Sequence, residues 1–229
     1  MISGENAPAC LNMKGDVKTR KALAFSLVEL LLVVVVLAVL AVVLLRPMKG
    51  WRHAGNTACI NNLAQVGRAF ALWSIEHADQ YPMSVPSTNG GTMEFTAEGN
   101  AWRHFQPIAD YAGDLRVKVL ICPSDNRKPA TGWADLGNTN LSYFIGLDAN
   151  RRRPQMLLTG DPNITNGLTP LHTVLNLVPD QPAGYAGRLH GLMGNLGLAD
   201  GSVQGFSTLS LRRWLASTGD LTNRIALPE

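Results

Sequence analysis

Residues 25–45 read FSLVELLLVVVVLAVLAVVLL, 21 positions with one charge, Glu29. As a helix this run would rise about 31 Å, enough to cross a bilayer core of about 30 Å. The expectation is a transmembrane helix over 25–46. The basic residues Lys14, Lys18, Arg20 and Lys21 precede the run and hold the N-terminus on the cytoplasmic side, with the rest exported. Arg46, Lys49 and Arg52 follow it and work against a simple positive-inside count. A cleaved secretory signal has a shorter apolar core, about 7–15 residues, ending at a small-x-small site, and this run lacks both features. A plain signal anchor fits the length and leaves Glu29 unexplained. An ionised carboxylate among leucines and valines is unfavourable unless it is paired or reaches the interface.

Beyond Pro47, which should kink or loosen a helix, a second pattern begins. Cys59, Leu63, Val66, Phe70, Trp73 and His77 recur at spacings of 4, 3, 4, 3 and 4. They share one helix face, opposite Asn62, Arg68 and Glu76. The helix should stop before Tyr81-Pro82. One helix over 25–79 would extend about 80 Å. The chain thus divides into a leader (1–24), a transmembrane helix (25–46), its amphipathic continuation (47–80) and an exported α+β domain (81–229).

In that domain Asn89-Gly90-Gly91 marks a turn and 101–111 a short helix. Strands are expected at 117–122, ended by Pro123, at 140–146 and at 156–161. Asp200-Gly201, between Leu196, Leu198 and Val203, signals a two-residue hairpin turn. Leu211, Trp214 and Leu215 suggest a C-terminal amphipathic helix capped by Ser207 or Thr208. Arg151-Arg152-Arg153 reads as a solvated loop or as a patch for anions or lipid.

Net charge is +3, and the leader carries four basic residues against Glu5 and Asp16, leaving about +1 for 25–229. No single-sign patch argues for a nucleic-acid partner. No GxSxG, HExxH, P-loop or GxGxxG arrangement exists, so no enzyme is expected. Cys10 lies in the leader. Cys59 and Cys122 are either a disulfide in an oxidising compartment or two separate buried residues. No CxxC or Cys/His cluster exists, so no zinc site is expected.

Lys21-Ala22-Leu23-Ala24-Phe25-Ser26-Leu27-Val28-Glu29-Leu30 resembles the processing site of type IV pilins and type II secretion pseudopilins: a basic leader, a small residue, then Phe-(Thr/Ser)-Leu-(Ile/Val)-Glu and an apolar stretch. The resemblance implies that Ala24 ends the leader and that Phe25 becomes an N-methylated N-terminus. Ala24 stands where the family usually has glycine. Glu29 would be the fifth mature residue, meeting the N-terminal amine of a neighbouring subunit during assembly; the alternative is a tolerated interfacial glutamate. Ala58 to Phe70 is similar to the (A/N)CxxNLxQIGxAF segment of a large pseudopilin-like group. Cys122-Pro123-Ser124-Asp125 resembles that group's CPSD element, and residues 140–146 its SYxxN-type region. His190 and Asp200-Gly201 form its His-x9-Asp-Gly motif. That motif is read either as a turn with His190 orienting the incoming strand, or as a metal or partner site.

The resemblance implies a pilin-like α+β fold, with a long N-terminal helix on a small antiparallel sheet. It implies a structural subunit, pseudopilin or minor pilin, of a type II secretion or type IV pilus-like filament. Its partners would be a prepilin peptidase, other pilin-like subunits, an inner-membrane assembly platform and the lipid bilayer. Its place would be the bacterial inner membrane, single-pass, with the C-terminal domain in the periplasm or on an extracellular filament. No cofactor is required. Major pseudopilins bind calcium through loop oxygens, which makes Asp125, Asp161, Asp200 and Asp220 candidate ligands, although no contiguous ligand loop is visible. The alternative is an anchored binding module for polysaccharide or an exported substrate, with Trp102, Trp133 and Tyr185 as ring platforms.

Overall fold

The computed structural model describes residues 26–44, 50–113, 117–168, 174–187 and 189–228. The chain forms two compact units, Met1–Met48 and Lys49–Glu229. Ala24, Phe25, the leader and Pro47 lie outside the described residues.

The first unit contains α1 (Leu27–Leu44). Its start is set by Ser26-Leu27-Val28-Glu29, a reciprocal cap that satisfies N–H groups left over at a helix start. The Ser26 Oγ accepts the Val28 N–H at 3.3 Å, and Glu29 Oε2 accepts the Ser26 N–H at 3.0 Å. Every described α1 side chain from 27 to 41 is exposed.

The expected spanning helix over 25–46 is corrected here. α1 has 18 residues and rises about 27 Å, short of a hydrocarbon core of about 30 Å. No helix among the described residues is long and apolar enough to cross a membrane. The single-pass inner-membrane placement therefore loses its structural basis. Among the described residues the helix begins only after Ser26, which serves as its cap.

The second unit begins with α2 (Gly50–Glu76). Five residues of the predicted stripe form its buried face, Cys59, Leu63, Val66, Phe70 and Trp73 all being within 2% of complete burial, whereas His77 lies past the helix end and is half-buried. Phe70 meets the edges of Phe105 and Tyr81 at centroid distances of 5.6 and 6.1 Å. The helix ends at Glu76, before the predicted residue 79. Ala78 and Asp79 take positive φ (55° and 59°), and the Asp79 N–H returns to the Ser74 carbonyl. Arg151 closes this end by donating to Ala71 O and Ser74 Oγ. The triplet's first arginine is thus a clamp on α2.

Among the described residues eight strands follow: β1 (Phe144–Gly146), β2 (Leu157–Gly160), β3 (Ile164–Thr165), β4 (Val174–Asn176), β5 (Gly184–Tyr185), β6 (Met193–Leu198), β7 (Val203–Ser207) and β8 (Arg224–Ala226). Six make one antiparallel sheet in the order β4-β8-β1-β2-β6-β7, and β3 pairs with β5. Helix α3 (Ala101–Phe105) precedes the sheet, and α4 (Thr208–Ser217) lies between β7 and β8. Strand side chains alternate between faces. Ile145, Leu158 and Ala226 join the α2 stripe, whereas Phe144, Leu157, Leu196, Leu198 and Ile225 pack with Leu211 and Leu215 of α4. The sheet is therefore covered on one face by α2 and on the other by α4. Ser207 caps α4, accepting the Ser210 N–H.

The pilin-like fold expectation is corrected accordingly. Among the described residues the structure is α+β with a six-stranded sheet, and none of its helices is both long and apolar enough to span a membrane. Residues 117–122 are not a strand. Val117–Leu120 form a 3-10 helix with Val117, Val119 and Leu120 all buried, so the burial does not alternate. The strand expected over 140–146 is confined to Phe144–Gly146. The hairpin between β6 and β7 has a three-residue loop, 199–201, and not two. Gly201 N–H donates to Leu198 O, Leu198 N–H donates to Ser202 O, and Gly201 takes φ 86°. A glycine at the left-handed last position is what such a loop requires.

Candidate functional site

Four segments far apart in sequence meet under the sheet face that α2 covers. Cys59 comes from α2 and Cys122 from the segment after the 3-10 helix. They are joined as a disulfide with Cα atoms 5.1 Å apart. Asp161 follows β2 directly, and its backbone N–H donates to Asn195 O of β6 at 3.0 Å. His190 sits in the loop that leads into β6, ahead of Gly191, whose φ is 73°.

Asp161 is completely buried. Its Oδ2 accepts the Asn195 backbone N–H and the Asn195 Nδ2–H, each at 2.8 Å. The Asn195 amide also donates to Asn56 Oδ1 of α2 at 2.7 Å. His190 Nε2 lies 3.4 Å from Asp161 Oδ2 and 3.4 Å from Cys122 Sγ. Burial raises the Asp161 carboxyl above the usual carboxylate range, against the opposing pull of the Asn195 hydrogen bonds and the His190 charge. Tyr143 and Tyr185 are raised by burial first and by Asp161 second. Asp161 Oδ1, Tyr143 OH and Tyr185 OH have no hydrogen-bond partner among the described residues. Fully buried polar atoms normally have one.

A cleft of about 460 Å³ opens beside this cluster, lined by Asn56, Ser124, His190, Met193, Asn195 and Gly205. Ser124 also borders a second cleft of about 540 Å³ with Asp125, Arg127, Asn163 and Leu189.

The calcium candidates do not converge. Asp125 accepts from Ser142 Oγ and the Arg127 N–H and is ion-paired to Arg127. Asp200 accepts the Ser202 N–H, and Asp220 accepts the Thr222 N–H and hydroxyl. Apart from the Asp125 bond to Ser142, which ties two segments together, these are local turn caps. Among the described residues, the metal-ligating side chains that do come together are Cys59, Cys122, Asp161 and His190, with ligand atoms within 4.8 Å of one another. With the disulfide closed, this set offers one imidazole nitrogen and one carboxylate.

The two ends of the His-x9-Asp-Gly motif are separated by β6, a strand of six residues or about 20 Å. His190 faces Asp161 and not Asp200. At the far end the Asp200-Gly201 turn rests on α2, where a Cβ on Gly67 would meet Gly201 at 3.7 Å. Tyr81 OH donates to Ala199 O in the same turn. The motif therefore pins both ends of β6 near α2, at Cys59–Cys122 and at Gly67.

No protein-family model matches the chain, and no curated protein or solved structure shows significant similarity to it.

Proposed function

We propose that this chain is a prepilin-type filament subunit, cut after Ala24 by a prepilin peptidase, methylated at Phe25 and assembled with other pilin-like subunits through α1. The observation that carries this reading is α1 itself. Its described side chains from Leu27 to Ala41 are apolar apart from Glu29, and all of them are exposed. A helix apolar on every side needs surroundings that remove it from water. Stacked helices of neighbouring subunits are such surroundings.

Two further points support the reading. The Ser26–Glu29 cap begins the helix one residue after the proposed cut, so the Phe25 amine would be created next to it. The Glu29 carboxylate lies at that end, where a neighbour's amine could pair with it and fix the register of stacking. The alternative of a polysaccharide- or substrate-binding module has less support. Tyr185 is buried, and Trp102 and Trp133 are half-buried against the core, so none is an open ring platform.

The test is Glu29→Ala and Glu29→Gln in the native host. The subunit should accumulate and be processed normally, while filament yield falls. Filaments at the normal level in both variants would remove the registry role.

A further inference from the structure

We propose that Cys59, Cys122, His190 and Asp161 form a zinc site in the dithiol state of this chain, a site that closing the disulfide dismantles. The donor set is one that zinc takes: two thiolates, one imidazole nitrogen and one carboxylate oxygen. The four ligand atoms already lie within 4.8 Å of one another.

The two distances made by His190 suit a tetrahedral ion, and the two sulfurs, bonded in the disulfide, would have to part on reduction. With zinc bonds of about 2.1 Å to nitrogen and oxygen and about 2.3 Å to sulfur, tetrahedral angles put nitrogen and oxygen donors about 3.4 Å apart, and sulfur and nitrogen about 3.6 Å apart. His190 Nε2 is 3.4 Å from Asp161 Oδ2 and 3.4 Å from Cys122 Sγ. One ring nitrogen thus faces both neighbouring donors, a poor arrangement for two separate hydrogen bonds and a good one for a shared cation.

The second observation is independent of that spacing. Asp161 is completely buried, and its Oδ1 has no hydrogen-bond partner among the described residues. A carboxylate removed from water needs compensation. His190 supplies part of it in the disulfide form, and a divalent cation would supply more. Asn195 already holds the carboxylate in place through Oδ2, as outer partners of metal ligands do. The 460 Å³ cleft at His190 gives an ion a route in.

The chemistry balances. A dithiol reductant passes two electrons and two protons to the Cys59–Cys122 bond and becomes a disulfide itself. The two protein thiols then lose their protons as zinc binds. Exchange with a small-molecule disulfide reverses this: the protein bond closes, the reagent leaves as two thiolates that take up two protons from water, and the ion is released. A chain is synthesised with its cysteines reduced, so the zinc form is the one available first.

The test uses the full-length chain carrying Cys10→Ser, reduced with a phosphine and titrated with Co²⁺ as the spectroscopic probe. One Co²⁺ per chain should bind, with thiolate-to-metal charge transfer and a tetrahedral d–d spectrum, and Zn²⁺ should displace it. Adding a small-molecule disulfide should abolish the spectrum. His190→Ala and Asp161→Asn should each weaken binding by about tenfold or more, since losing a ligand costs at least as much as losing an outer partner. Absence of the thiolate signature overturns the proposal, as does affinity that neither variant changes. A reduced chain that unfolds and does not regain its circular dichroism with Zn²⁺ overturns it equally.

Discussion

His190 and Asp161, 29 positions apart in sequence, face each other at 3.4 Å beneath the sheet, and both side chains are almost fully withdrawn from solvent. Removing one partner of a buried pair leaves the other uncompensated. His190→Ala should therefore destabilise the second unit by about 3 kcal/mol in the otherwise native chain. In an Asp161→Asn background the same change should cost much less. Urea unfolding of the four proteins measures this coupling. Equal costs in both backgrounds would mean the pair does not interact.

Cys59 and Cys122 enclose a loop with a sequence separation of 63. In the chain-entropy account such a cross-link stabilises by about 4 kcal/mol. The double variant Cys59→Ala, Cys122→Ala should lose stability on that scale in denaturant titrations and should become insensitive to reductant.

Gly194 is required by a close approach. A Cβ there would sit 2.3 Å from the buried Tyr185 ring. Gly194→Ala should cost roughly 1–3 kcal/mol through overpacking. Tyr185→Leu, which removes the obstructing ring, should recover part of that loss. Thermal unfolding of the single and double variants checks both statements.

His104 should make the fold acid-sensitive. It is completely buried, with Nδ1 bonded to Thr92 Oγ1 at 2.7 Å. Burial, aided by Arg103, pushes its pKa down from 6.5 to about 4. Between these values the unfolded chain binds the proton and the folded chain does not, so stability falls as pH falls from about 6.5 to about 4. The loss from this group is about 3 kcal/mol. The raised Asp161 carboxyl works in the opposite direction, favouring the fold as it takes up its proton. Comparing His104→Gln with the native chain in urea at several pH values isolates the histidine. The variant should show a flatter profile between pH 4 and 6.5.

Helix α2 was legible because its stripe repeats at the helical period and supplies most of the face buried against the core. The β6–β7 hairpin was legible because Asp200-Gly201 is local turn chemistry, although its loop has three residues. The 117–122 segment misled because its β-branched composition suggests a strand, whereas no neighbouring strand pairs with it and three of its apolar side chains point into one core. The candidate site was not legible as a unit. Cys59 and Cys122 stand out as a possible pair and Asp161 and His190 singly, but the meeting of all four depends on β2 and β6 being neighbours and on α2 packing against them. Zinc-ligand patterns are recognised by short spacings, and these four residues have none. The apolar run at 25–45 suggests a span because all 21 residues are taken as helical, whereas the described helix covers Leu27–Leu44.

The central claim is that the chain is processed after Ala24 and assembles through the helix so exposed. The most direct measurement is the intact mass and N-terminal sequence of the protein isolated from its own cells. The account predicts a chain beginning at N-methyl-Phe25. A chain that retains residues 1–24 would contradict it.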